Sequence, residues 1–212
     1  TSLAVVAIEA CGVSPEITAQ VRELVGRHVP IPPANILLNC SHTHASPATL
    51  PGYGPTSLTP AHEAYLPVLP HYLAGAIIAA WHNRVPATMG ADSTTVEGVT
   101  INRRDPSYPL DRELGVARFD DEAGRPIAAL VNFACHGTSV GGHDRAWTAD
   151  FAGQVARTVE AALPGCTCLF LQGAEGDIHQ WDNYFGNANP RFPDGYGSAE
   201  RLGQAIGGPA VG

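Results

Sequence analysis

The sequence predicts a layered α/β domain, with a mixed and largely parallel β-sheet flanked by helices. Three observations lead there. Short apolar runs alternate with segments of helical period, a hairpin signal interrupts the alternation midway, and three apolar runs end in clusters of polar residues. The 212 residues are enough for a single domain, 1–212, with a sizeable core.

The elements follow in chain order. Residues 3–10 (LAVVAIEA) form a buried strand bounded by Gly12 and Pro15. Ser14, Pro15 and Glu16 mark a helix start, and Ile17, Val21, Leu24 and Val25 then fall on one face. Residues 34–41 (ANILLNCS) read as a second strand after a proline-rich turn. Thr59 and Pro60 open another helix, which Pro67 and Pro70 interrupt before AGAIIAAWH resumes it. Strands are expected at 87–99, 114–120 and 127–135, with a hairpin turn over 121–124. A helix over 150–163, a strand over 167–172 and a helix beginning near Ser198 complete the chain.

Composition narrows the function classes. Twelve basic residues stand against 20 acidic ones, a formal charge of −8, with no basic run. Nucleic acid requires a clustered positive footprint, so that partner is excluded. The longest apolar stretch, residues 73–81, is about half a bilayer span, which implies a soluble protein without a transmembrane segment. Five cysteines without C-x-x-C spacing do not make a disulfide framework, and Cys40 and Cys135 read as core thiols. The chain begins at Thr1 inside a strand-like run and stops soon after a helix starts. It therefore reads as a piece truncated at both ends, with the compartment and oligomeric state open.

The candidate chemistry lies at three strand ends: SHTH (41–44), CHGTS (135–139) and QGAEGD (172–177). In open α/β sheets ligands gather beyond the carboxyl ends of the strands, where such endings converge. If strand geometry persists, His42 and His44 share one face about 7 Å apart. They can bind a metal together, or one can ligate while the other faces a substrate; two loop histidines is the plain alternative. His136 adds a third imidazole, which suits zinc with a position left for water. His143 and Asp144 extend that loop as ligands or outer groups, while a capping Thr138 or Ser139 beside a core histidine explains CHGTS about as well. Gly173 and Gly176 permit close backbone approach, with N–H groups able to hold an oxyanion. Glu175 and Asp177 serve equally well as loop caps. Of Arg103 and Arg104, one can clamp a carbonyl or carboxylate, although paired arginines are more often solvated. Trp147, Trp181 and Tyr184 read as loop and core aromatics. H-E-x-x-H, P-loop and dinucleotide fingerprints are absent.

Five stretches in order, NILLNCSHTHASP, TINRRDPSY, LVNFACHGTSV, WTADFAG and FLQGAEGD, resemble the N-terminal catalytic domain of the neutral/alkaline (non-lysosomal) ceramidases. The resemblance runs from about residue 3 to residue 205. It implies His42 and His136 as ligands of one catalytic zinc ion, His44 facing the scissile amide and Arg103 contacting substrate. It further implies attack by a metal-bound water on an N-acylated substrate, a ceramide or ceramide-like lipid, with Ser139, His143, Asp150, Gly173 and Asp177 around the site. A glutamate and a tyrosine beyond residue 212 would complete the zinc shell. Gly173 stands where the family carries a serine, and Ala45-Ser46-Pro47 replaces Ser-Gly-Pro, so the substrate need not be ceramide itself. A metal-dependent esterase or deacetylase, or a binding domain that kept the fold without the chemistry, are the competing readings.

Overall fold

The computed structural model describes residues 2–50, 59–140, 146–181 and 195–212. His143, Asp144 and Tyr184, singled out above from the sequence, lie outside them.

Two βαβ units carry the fold. The first is β1 (Ala4–Ile8), α1 (Pro15–Gly26) and β2 (Ile36–Cys40), whose strands pair in parallel. The Ser14 side chain caps α1 by accepting the Ile17 N–H, and Pro15 occupies the first turn, where its missing N–H costs nothing. Ile17, Val21 and Val25 then bury one face. The second unit is β6 (Pro126–Phe133), α4 (Asp150–Ala162) and β7 (Thr167–Gln172), again with parallel strands.

Between them lie α2 (Pro60–Tyr65), α3 (Leu69–His82), β3 (Ala87–Thr95), β4 (Thr100–Asn102) and β5 (Glu113–Asp121). β8 (Ile178–Gln180) and α5 (Tyr196–Gly207) close the chain. The larger sheet runs β3-β5-β6-β7, and β5 is antiparallel to both of its neighbours. The layered α/β class and the mixed sheet are as expected, but antiparallel pairing outweighs parallel in this sheet. The 121–124 turn is the reason: it folds β6 straight back on β5, with Gly124 at φ 75°. The small ribbon β4–β8 was not foreseen, because three residues are too few to show a period.

Two cores result. One lies between β5–β6–β7 and α4–α5 around Phe133, Phe151, Val155 and Ile206; the other packs β1–β2 against α1 and α3. The strand ends between these cores carry the polar clusters. Pro70 does not interrupt α3 but sits in its first turn, so the break is confined to residues 66–68. By length and composition Pro60–His82 is apolar enough to cross a bilayer, which residues 73–81 alone are not. It consists of two helices, however, and α3 lays Leu69, Leu73, Ala74 and Ile77 into the core.

Candidate metal centre

β2 stops at Cys40 because the chain turns left-handed at His42, with φ 59°. A non-glycine residue pays steric strain there, and such residues concentrate at functional sites. Strand geometry therefore does not persist through the motif; the two rings meet edge-on at 4.9 Å, with Nε2 atoms 3.3 Å apart.

β6 delivers His136 to the same point. Thr43 and Gly137 form an isolated parallel bridge, and the His44 N–H donates to the Gly137 carbonyl at 2.9 Å. Only glycine fits at position 137, since a Cβ there would lie 2.7 Å from the His42 carbonyl oxygen. β7 supplies the tie. The Gln172 side-chain amide donates to the carbonyls of Ser41 (2.7 Å) and Cys135 (2.8 Å), and its backbone N–H donates to the Asn39 side chain. One glutamine thus holds three strand ends together. Its polar side chain at the close of an apolar run was the available signal, and sequence reasoning missed it.

The imidazoles are oriented by backbone carbonyls. His42 Nδ1 donates to the Cys11 carbonyl at 2.7 Å, and His136 Nδ1 donates to the Glu175 carbonyl at 3.2 Å. A carbonyl can only accept, so each ring, as the neutral tautomer, carries its proton on Nδ1 and a lone pair on Nε2. Those two Nε2 atoms face each other at 3.2 Å. Two opposed lone pairs repel unless a proton or a cation lies between them. With metal–nitrogen bonds of about 2.0–2.1 Å, a tetrahedral centre has nitrogen–nitrogen edges of about 3.3–3.4 Å. The donor set therefore fits a zinc-like ion. Glu175 Oε1 lies 3.8 Å from His42 Nε2, and His42, His136 and Glu175 form one three-donor cluster. Glu175 is thus a candidate ligand within this chain, which the loop-cap alternative had concealed.

Burial and neighbouring charges favour the neutral form of the His136 and His44 rings. His136 is 4% exposed, and burial is the main cause that pushes its pKa down to about 4, opposed by the Glu175 carbonyl and reinforced by Arg103, His42 and His44. Burial first, then His42, Arg103 and His179, lowers His44. Arg103 itself is anchored by donating to the Gly176 carbonyl at 2.5 Å, while Arg104 is exposed. His179 stacks on His136 at 6.2 Å and pairs with Thr138 at 2.9 Å; neither residue was singled out from sequence.

The remaining candidates buttress the site. Ser139 is 2% exposed, and its Oγ accepts from Gln180 at 2.9 Å. Residues 137–141 spell G-T-S-V-G, the spacing of a serine nucleophile elbow, but a buried, hydrogen-bonded Ser139 offers no exposed hydroxyl. Asp150, also left-handed at φ 54°, accepts from Val140 and Phe151, tying the CHGTS loop to the start of α4. The Gly173 N–H is taken by the Phe133 carbonyl, and the residue packs against Ala134. Asp177 accepts from Asn102 at 2.8 Å and secures the β4–β8 ribbon. Trp147 and Trp181 are exposed.

The chain is 26% identical over 200 residues to neutral ceramidase B of Dictyostelium discoideum, covering 82% of this chain and 28% of that protein. It is also 26% identical over 168 residues to neutral ceramidase A of the same organism, covering 68% and 24%. The fold matches the crystal structure of neutral ceramidase from Pseudomonas aeruginosa with a TM-score of 0.80 at 17% identity, over 97% of this chain and 35% of that one. In sequence and in fold, the chain is similar to the neutral ceramidases. A structure of ceramidase complexed with C2 aligns equally well, with a TM-score of 0.83 at 18% identity over 98% and 35%. No family model matches. The chain spans about a quarter of the length of the two curated proteins and about a third of the solved ones.

Proposed function

We propose that the protein is the histidine-bearing part of a zinc-dependent amide hydrolase acting on an N-acyl lipid of the ceramide class. The observation that carries this reading is the pair of opposed Nε2 lone pairs on His42 and His136, 3.2 Å apart and locked by carbonyls behind them. Such an arrangement is stable only around a cation or a shared proton. The ceramidase relatives supply the substrate class.

His42, His136 and Glu175 would hold the ion. Zinc bound there supplies Lewis acidity, polarising a carbonyl and bringing the pKa of a water to about 7. The protein residues do the rest. His44, neutral and exposed 3.3 Å from His42, takes a proton from the attacking water and returns it to the leaving nitrogen. Water adds across the amide as the C–N bond breaks, giving a carboxylic acid and an amine. Arg103, fixed by the Gly176 carbonyl, presents N–H donors toward the acyl oxygen.

Zinc content and turnover of a synthetic N-acyl sphingoid base test this together, in the parent protein containing this chain. His42→Ala and His136→Ala should each lose the ion. His44→Ala should keep the ion and lose turnover by about 10²–10⁴-fold, the usual contribution of a positioned acid–base group. Wild-type zinc content in both ligand variants would overturn the assignment.

A further inference from the structure

The β1–β2 sheet and the larger sheet are tied at one end. At the carboxyl ends of β2 and β7, Asn39 donates to the Gln172 carbonyl at 3.1 Å and accepts the Gln172 N–H at 2.8 Å. Among the described residues no ladder joins β1 to β7. A cavity of about 480 Å³ lies between them, with the second half of α3 as its third wall. That volume falls within the range of small-molecule sites, about 300–1,000 Å³. Val5, Ala76, Ala80, Trp81 and Leu169 make the lining apolar, and Arg84 is its one charged residue. The Arg84 guanidinium carbon stands 3.2 Å from the centre of the Trp81 ring, a cation–π contact that holds the group beside the cavity. Among the described residues no carboxylate pairs with Arg84. The histidines lie elsewhere: Thr167, at the cavity, is five residues of extended β7, about 16 Å, from Gln172.

We propose that this cavity binds a medium-chain fatty acid, with the tail between β1, α3 and β7 and the carboxylate on Arg84. An apolar cavity with one cation at its wall complements a hydrocarbon chain that ends in an anion. The guanidinium can present two parallel N–H donors to the two carboxylate oxygens. The tail covers Ala76 and Ala80, which are otherwise exposed, and removes apolar surface from water. Hydrolysis of an N-acyl lipid releases an acid of this class, but the cavity stands apart from the histidine cluster and does not rest on that reading.

The test is calorimetric titration of the parent protein containing this chain with sodium decanoate, below its micelle concentration. One saturable site is expected, with affinity rising about fourfold for each methylene from octanoate to decanoate, the gain from burying a CH₂. Arg84→Gln should weaken decanoate binding about 10–100-fold, the loss of a hydrogen bond to a charged group. Ala80→Trp changes an exposed helix position and should fill the cavity, abolishing binding at wild-type urea stability. Decyltrimethylammonium, the same tail with the opposite charge, should not bind. The proposal is overturned by absence of saturable binding, by equal affinity for the cationic amphiphile, or by wild-type affinity in either variant. His42→Ala separates this site from the hydrolase reading: it should lose zinc and keep decanoate at wild-type affinity. Loss of decanoate in that variant would place the acid at the histidines and sink the cavity site. A protein that binds decanoate through Arg84 but never takes zinc would sink the hydrolase reading alone.

Discussion

The ends of β2 and β6 bring the same side chain to the same point by opposite means. At the end of β2, His42 takes up a left-handed backbone, and its ring keeps 17% of its surface exposed. At the end of β6, His136 follows the strand without such strain, but its ring is buried, wedged between His42 and His179 and neutral as a result. One site stores its cost in the backbone, the other in desolvation of the ring. The difference teaches that each histidine should answer to a different perturbation, although both would serve one ion.

The strongest blow to the comparison falls where the two ends touch. Gly137→Ala would set a Cβ 2.7 Å from the His42 carbonyl oxygen and 2.8 Å from the Thr43 Cα, both backbone atoms that cannot swing away. The strand ends must separate, with an expected cost of about 3 kcal/mol, the upper range for overpacking. Urea denaturation should show the loss, and zinc content should fall with it even though every ligand remains. A Gly137→Ala protein with wild-type stability would mean the ends are not locked together.

Acid sharpens the contrast next, through the buried ring. The folded pKa of His136, about 4, lies below its ordinary value of 6.5. Above 6.5 both the folded and unfolded states hold the ring neutral, and its contribution to stability is complete. As pH falls from 6.5 toward 4 the unfolded chain binds a proton that the folded protein refuses, so stability declines, and it levels off below that window. The loss is at most about 3 kcal/mol. Glu9 and Asp150 are shifted upward by burial and act in the opposite direction. The measurement is therefore the difference in pH slope between the metal-free wild type and His136→Asn, which should be flatter. Parallel slopes would remove burial of His136 as the cause.

The smallest effect belongs to the strained backbone. His42→Gly relieves the left-handed turn but forfeits the bond from Nδ1 to the Cys11 carbonyl. Each is worth about 1 kcal/mol, so they nearly cancel. Metal-free stability should change by less than about 1 kcal/mol while zinc is lost outright. A large destabilisation would show that His42 supports the fold as well as the ion.

Much of this was legible along the chain. The βαβ units, the caps of α1, the 121–124 turn and the strand β7 all follow from local period and turn chemistry, which act over a few residues. The convergence of SHTH, CHGTS and QGAEGD followed from a general rule about strand ends. What failed was anything that depends on a departure from regular geometry. Extended geometry through His42 fails because that residue turns left-handed, and Pro70 was misplaced because a proline in a first turn resembles one that breaks a helix. Gln172, His179 and Cys11 stayed invisible because their partners lie far away in sequence, and Glu175 because a carboxylate in a glycine-rich loop has too many ordinary uses.

The sequence by itself determined the fold class, the order of the elements and which residue types crowd the strand ends, because hydrophobic period and capping are local properties. Only the tertiary structure decided that His42 and His136 present opposed lone pairs, that Glu175 stands beside them and that the Cys11 carbonyl holds His42 from behind. Those relations join segments 31 to 133 residues apart. Their distances are set by packing two cores against each other, which no local period encodes.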